Sequence, residues 1–438
     1  MSAPTRARAA RGVALVVALG IPVVRAAAQR PALAARVAAA AVAGDGAVTL
    51  HYATRAAACG DGRDFVALGR FVSGGGVMGY GWRDTPCVHG PATATLAVRG
   101  GAVTGVRVRV GGSSPAASAG RDLGAVGAEE AARYFLSLAE RDADAEQAVA
   151  AATIADSADA WRPLLALARQ AAAPERTRRA ALHWLPAAAP PEAVPTFAAI
   201  VRDPDERRPV REGAFVVLAL APGGSGVPTL VAAARGERAA GGGDAWVRDR
   251  AVFWLGNADD PRARAALRTL AAADSAPEAV RAQAIFTLGH LDRGGDRGEG
   301  NAAFLRALYP RLTNGVLRDR TIQSVAQGDD AASRRWLLDL AADAAQPLDA
   351  RKQALFWAGQ RDDDVADLLA EDARLAGPEL RRHYTFVLSQ RPEDAAVDRL
   401  IAIARADADA EVRRQAIFWL GQSRSARARA YLEGLVAR

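Results

Sequence analysis

From about residue 145 to the C-terminus, apolar residues return with a helical spacing. Val412, Ala416, Trp419 and Leu420 follow i, i+4, i+7, i+8, which places them on one face of a helix. The block then recurs. VRDRAVFWLGNADDP (247–261), VRAQAIFTLGHLD (280–292), ARKQALFWAGQRDDD (350–364) and VRRQAIFWLGQSRS (412–425) are its clearest copies. Weaker ones are TRRAALHWLPAAAP (177–190), VREGAFVVLALAP (210–222), LRDRTIQSVAQGDD (317–330) and LRRHYTFVLSQRPED (380–394). Anchored on Trp184, Val217, Trp254, Thr287, Ser324, Trp357, Val387 and Trp419, the copies recur every 30–37 residues. A degenerate copy lies around 148–168, with 128–139 as its leading helix. Each copy predicts an amphipathic helix ended by its glycine, such as Gly421, then a turn and a second helix, such as 263–271 or 428–436. Neither helix can bury its face alone, so stacked pairs must make the core. The expected fold is mainly α: an α-α superhelix over 128–438, with about eight to nine repeats. No polar helix follows the last one, so an apolar end face is expected there.

Residues 45–110 alternate instead. Val48–Tyr52 reads as a strand, and 65–72 as a second. Residues 93–99 and 103–110 flank Gly100-Gly101, a hairpin signal. In VTGVRVRV the valines take one face while Arg107 and Arg109 take the other. A small antiparallel β module is expected ahead of the solenoid. Both cysteines, Cys59 and Cys87, fall inside it. Pairing would stabilise so thin a core, and a disulfide is the expected state. The alternatives are free thiols or a metal site of His51, Cys59, Cys87 and His89, although C-x-x-C and H-x-x-x-H spacings are missing. The glycines at 74–76, 79 and 81 have neither a following helix pattern nor a lysine, so they read as a hairpin tip and not a phosphate loop. Residues 111–127 read as a linker.

At the N-terminus, Arg6, Arg8 and Arg11 precede the apolar run Val13–Val24, and Ala26-Ala27-Ala28 follows. That order predicts a secretory signal peptide over 1–28, too short for a transmembrane helix. No later segment is long and apolar enough to span a bilayer. The chain is therefore expected to be exported, either periplasmic or secreted.

The repeats resemble the HEAT repeat, most closely the short form named after phycobilisome lyases. The Val412-Arg413 opening, the central Ala416 and the closing Leu420-Gly421 carry the resemblance, which covers about 145–438. It implies a HEAT-like solenoid, an architecture used mostly to scaffold partners.

Charge first suggests nucleic acid and then withdraws the suggestion. The chain carries a net +7 and a pI near 10.0. Of its 56 basic residues only Lys352 is lysine. Fourteen arginines and five acidic residues lie before Glu129, whereas 42 basic and 44 acidic residues follow. The repeats are thus near neutral, and no nucleic-acid partner is expected.

Three constellations could carry function. Asp259-Asp260, Asp329-Asp330 and Asp362-Asp363-Asp364 occupy turns that stacking would line along one edge, with Glu393-Asp394 continuing it. Arg178, Arg211, Arg248, Arg281, Arg318, Arg351, Arg381 and Arg413 form an opposing ladder at the helix starts. Ion pairing and capping between repeats is one reading, and a partner- or cation-binding edge the other. Phe253, Phe286, Phe356, Phe386 and Phe418 share one repeat position, pointing away from Ala416 and Leu420. They either pack between repeats or form an exposed stripe that binds a partner. The tryptophan anchors share the core phase.

Enzyme signatures are missing from the sequence. It contains no H-E-x-x-H, G-x-S-x-G or C-x-x-C. None of its five histidines is followed by glutamate, which opposes a resemblance to deoxyhypusine hydroxylase, a HEAT-repeat di-iron enzyme using His-Glu pairs. The expectation is an exported, non-enzymatic scaffold for an unidentified protein or peptide, with no cofactor. The alternatives are a lyase- or chaperone-type protein acting on a small ligand in the groove, and nucleic-acid binding.

Overall fold

The computed structural model describes residues 32–42, 44–63, 65–74, 77–80, 87–111, 120–291, 300–328, 330–360 and 365–437. The leader pattern lies outside them, as do Asp329 and Asp362-Asp363-Asp364 of the acidic edge.

The repeat region is a two-layered α-solenoid. Among the described residues nine helices form the motif layer: α3 (Ala145–Thr153), α5 (Glu175–Ala188), α7 (Arg208–Leu220), α9 (Ala245–Asn257), α11 (Glu278–Leu291), α13 (Gly315–Val325), α15 (Leu348–Gly359), α17 (Pro378–Ser389) and α19 (Ala410–Gln422). Each packs on the motif helices before and after it. The second layer holds α2 (Ala128–Glu140), α4 (Trp161–Arg169), α6 (Val194–Arg202), α8 (Val227–Ala234), α10 (Pro261–Ala272), α12 (Asn301–Leu308), α14 (Ala331–Ala342), α16 (Ala366–Ala370), α18 (Asp394–Ala406) and α20 (Ala426–Val436). In most repeats a motif helix packs chiefly on the second-layer helix that precedes it.

The repeat glycine has a different job from the one its sequence suggests. In α9, α11 and α19 it does not end the helix, which runs on through Asn257, Leu291 and Gln422, while α15 ends on Gly359. Instead it admits the next motif helix. A Cβ built on Gly256 would come within 2.2 Å of the Thr287 side chain, and one on Gly359 within 2.2 Å of Val387. On Gly289 it would meet the Ser324 backbone oxygen at 2.7 Å. Thr287, Ser324 and Val387 are the anchors of the following copies, so glycine faces anchor. Gly421, on the last motif helix, has nothing within 4 Å.

The arginine ladder also has a structural partner. The last carbonyls of a helix lack partners within it, and these arginines supply donors from the next element. Arg211 Nη2 donates to the Val201 carbonyl at 2.9 Å, and Arg351 Nε to Ala341 at 3.0 Å. Arg281 reaches Ala271, Arg318 reaches Leu312, and Arg413 reaches Asp407 and Ala408. Arg178 and Arg248 contact carbonyls of their turns in the same way. Arg381 differs, pairing with the Asp407 carboxylate. Arg211 and Arg351 are buried charges made tolerable by these bonds.

Ahead of the solenoid stand two four-stranded sheets, and α1 (Leu33–Ala41) packs on the first of them. The first has the order β7 (Ala102–Val110), β6 (Ala92–Arg99), β1 (Gly46–Tyr52), β8 (Gly120–Ala125). The expected hairpin is β6–β7, and positive φ at both Gly100 and Gly101 suits its two-residue turn. Val106, Val108 and Val110 face the core. Residues 120–125, read from composition as part of the linker, are instead β8, which pairs in parallel with β1. The other sheet runs β2 (Ala58–Gly60), β3 (Val66–Leu68), β4 (Phe71–Gly74), β5 (Val77–Tyr80), all antiparallel. The single strand expected over 65–72 is thus a tight hairpin, β3–β4, turning at Gly69 (φ 60°). Cys59 and Cys87 form a disulfide beside the Gly60–Val88 bridge. Both thiols are consumed there, while His51 bonds to Thr93 and His89 to the Ala58 carbonyl.

Module and solenoid share one core. A single apolar cluster runs from Leu33 to Val325, and a second from Tyr309 to Ala428, with Trp336 packed against both. At the junction the Tyr52 hydroxyl donates to the Ala151 carbonyl at 2.9 Å, and Thr54 bridges Ala155.

Two outcomes follow from this packing. Gly289→Ala, which places a methyl against backbone, should destabilise by about 1–3 kcal/mol. Gly421→Ala, in open space within a helix, should stabilise by about 0.5–1 kcal/mol. Urea titrations of both variants read the two signs, and equal signs would refute the glycine–anchor contact. Separately, reduction opens a 28-residue separation between Cys59 and Cys87, so it should cost about 3–4 kcal/mol by loop entropy. A melting curve unchanged by reductant, with both thiols then titratable, would contradict this.

Candidate partner-binding face

The surface of the motif layer that faces away from the second layer is built by repetition. One position before each anchor stand His183, Val216, Phe253, Phe286, Gln323, Phe356, Phe386 and Phe418. Helical phase turns this position away from Ala416 and Leu420, which are buried. Phe253 is 38% exposed and Phe418 53%, while Phe286, Phe356 and Phe386 are half-buried. The stripe is therefore both packed and open. Phe356 and Phe386 lie parallel with centroids 6.3 Å apart, and Phe386 meets Trp419 at 5.4 Å. Arg250 and Arg320 lie over Phe253 and Phe286.

The tryptophan anchors do not share one environment. Trp184 is fully buried, but Trp254, Trp357 and Trp419 are half-buried. Their phase is that of the core, but their large rings reach the margin of the open face. Trp254 Nε1 donates to Glu212 on α7 at 2.9 Å. The Trp419 Nε1 and His383 Nε2 atoms are buried without a partner.

The difference at Trp184 has a visible source. There, β4 lies on the motif face. His183 holds the phenylalanine position of α5, and its Nε2 contacts the Val72 carbonyl at 3.1 Å. The Phe71 ring meets the imidazole edge to face at 5.9 Å. The first rungs of the face are thus occupied by a strand of the same chain. No local sequence signal marks this contact, which spans 111 residues.

Four residues before Phe356, Phe386 and Phe418, about one helical turn, stand Lys352, Arg382 and Arg414. Arg414 pairs with Glu411. Lys352 and Arg382 have no ion pair among the described residues. On α13 the same position is Asp319, whose carboxyl burial pushes above its ordinary pKa while a Gln353 hydrogen bond opposes the shift.

The acidic residues go elsewhere. Asp260 is buried, caps α10 through the Arg262 backbone and pairs with the Arg262 side chain, which holds its carboxyl below the ordinary range. Asp330 caps α14 and pairs with Arg306. Asp259 is exposed. An open cavity of about 680 Å³ sits between the β3–β4 hairpin and the turns after α5, α7 and α9. Its walls are largely Ala, Gly, Pro and Leu, with Arg70, Asp259 and the already committed Asp260. Among the described residues no group of three or more His, Cys, Asp or Glu is placed to hold a metal ion. No helix among them is long and apolar enough to cross a membrane.

Residues 232–326, from α8 to just past α13, match the sequence family described as HEAT repeats. Over that span the solenoid is HEAT-like. No curated protein matches the chain. Among solved structures, human deoxyhypusine hydroxylase in complex with glycerol is 19% identical, covering 56% of this chain and 89% of its own, with a TM-score of 0.26. A complex of Kap95p with RanGDP is 14% identical, covering 67% of this chain and 50% of that chain, with a TM-score of 0.28.

The occupied end of the motif face should respond to pH. Burial lowers the His183 pKa, and the bond to the Val72 carbonyl opposes this only in part. The unfolded chain therefore takes up a proton near pH ~6.5 that the folded chain resists. The stabilising contribution is complete above about pH 6.5 and fades as pH falls toward the lowered value. His383, also lowered by burial, adds a second contribution of the same sign. The melting temperature should fall between pH 7.5 and 5.5, and His183→Gln should remove part of that fall. An identical slope in the variant would refute the assignment.

Proposed function

We propose that this chain is an exported, non-enzymatic scaffold whose HEAT solenoid binds a protein partner through the phenylalanine-bearing face. One observation carries the reading: α15, α17 and α19 present partly open rings in succession, Phe356 stacked on Phe386, Phe386 against Trp419 and Trp419 against Phe418. Large rings that remain partly open in a row suit a partner contact, since aromatic side chains supply most of the energy of such interfaces. The missing nucleophile and metal-ligand motifs support a binding role over chemistry. The near-neutral repeats support a protein partner over nucleic acid. Export to the periplasm or beyond is supported by the leader pattern at 1–28 and by the Cys59–Cys87 disulfide, a bond that persists in oxidising compartments.

A photo-crosslinker placed at position 390, beside Phe386, tests the face in the native compartment. It should give discrete adducts that Phe386→Ala abolishes, while the same group at position 395 on α18 gives none. Equal adducts from both positions, or adducts indifferent to Phe386→Ala, would overturn the reading. A chain retained in the cytoplasm with residues 1–28 attached would remove its exported part.

A further inference from the structure

The motif face already binds one extended segment, its own β4. The terms of that contact are a ring against a ring and a side chain against a backbone carbonyl: Phe71 on His183, and His183 Nε2 on Val72. Five motif helices later, from α15 onward, the same ingredients return without an occupant among the described residues. Phe356, Phe386 and Phe418 form the central row, with Lys352, Arg382 and Arg414 one turn before them. One turn after them stand Gln360, Gln390 and Gln422, all exposed. An amide can donate to a carbonyl and accept from an N–H at once, so a glutamine row suits a bound backbone.

The spacing fits a strand. Alternate residues of a strand lie about 6.6–6.8 Å apart on one face. The Phe356 and Phe386 centroids are 6.3 Å apart. A strand crossing α15 and α17 would therefore set two alternate side chains over the Phe356 and Phe386 rings.

Charge selects the sequence of the occupant. Lys352 and Arg382 have no ion pair among the described residues, although Asp349 and Glu379 lie three positions earlier on the same helices. Arg414 alone engages its equivalent, Glu411. The cation row is thus open to an incoming carboxylate at two of its three positions. On α13 the pattern breaks, with Asp319 in the cation position and Gln323 in the aromatic one. The array is confined to α15, α17 and α19.

We propose that these three helices bind an extended peptide segment of a partner protein, in which apolar residues alternate with acidic ones. This rests on the scaffold reading above and names its ligand. Apolar side chains would sit on the phenylalanine row, carboxylates on Lys352 and Arg382, and backbone amides on the glutamines.

The test uses the full chain and a fluorescein-labelled decapeptide of alternating glutamate and valine, read by fluorescence anisotropy. Saturable binding that weakens with added salt is expected. The lysine–valine counterpart should bind at least tenfold more weakly. Lys352→Glu with Arg382→Glu should cost at least tenfold, as should Phe356→Ala with Phe386→Ala. A paired Arg107→Glu and Arg109→Glu variant, changed on the β module, should bind as the parent does. No binding of the acidic peptide, equal binding of both peptides, or indifference to the Lys352 and Arg382 changes would each overturn the proposal. If crosslinking at position 390 still depends on Phe386 in that event, the scaffold reading stands and only the extended acidic ligand falls. Circular dichroism of each variant must match the parent, and Lys352→Gln with Arg382→Gln serves where the double glutamate variant does not fold.

Discussion

The close approach of one motif helix to the next is the constraint on which everything else rests. A solenoid has no closing contact between its ends, so its form is the sum of its junctions. At three of them the distance is set by glycine against an anchor: Gly256 on Thr287, Gly289 on Ser324, Gly359 on Val387. A side chain at any of these glycines would push two layers apart. The ladder arginines then fix the other end of the junction, because all but Arg381 tie the start of a motif helix to carbonyls of the segment before it. Arg211 and Arg351 do so while buried. Two positions of the repeat, the opening arginine and the closing glycine, thus set the spacing and orientation that Ala and Leu merely fill.

That division explains what could be read from the sequence. Helical periodicity and the recurring block specify the α-solenoid, because each repeat contacts only its neighbours and its instructions are local. The β6–β7 hairpin was equally legible, since Gly100-Gly101 and the alternating valines act over a few residues. The role of the repeat glycine was not. Its position after a leucine looks like a helix end, and only the neighbouring helix reveals that it is a contact. Likewise β8 pairs in parallel with β1 across some seventy residues, and nothing in the composition of 120–125 distinguishes a short edge strand from a linker.

The candidate face was half legible for a related reason. A helical wheel gave the direction of the phenylalanines correctly, away from Ala416 and Leu420. It could not say what covers them. His183 and Phe418 hold the same repeat position, but one is buried under β4 and the other is more than half exposed. The same difference separates Trp184 from Trp419. Exposure at these positions is decided by where the β module docks, a contact between segments more than a hundred residues apart.

The face also differs from the junctions in what its residues owe to packing. Alanine, leucine, arginine and glycine positions of the repeat are held by the core and by carbonyl bonds, so their recurrence needs no further cause. The cationic and glutamine positions have no such duty, and the aromatic position has it only in part. Asp319 and Gln323 on α13 demonstrate this, because they replace the cation and the ring without breaking the stack. Tolerance on α13 makes the regularity on α15, α17 and α19 informative. Three successive motif helices keep rings, cations and amides at positions where the fold accepts other residues, and the strands of the β module that lie on this layer, β4 and β7, are extended.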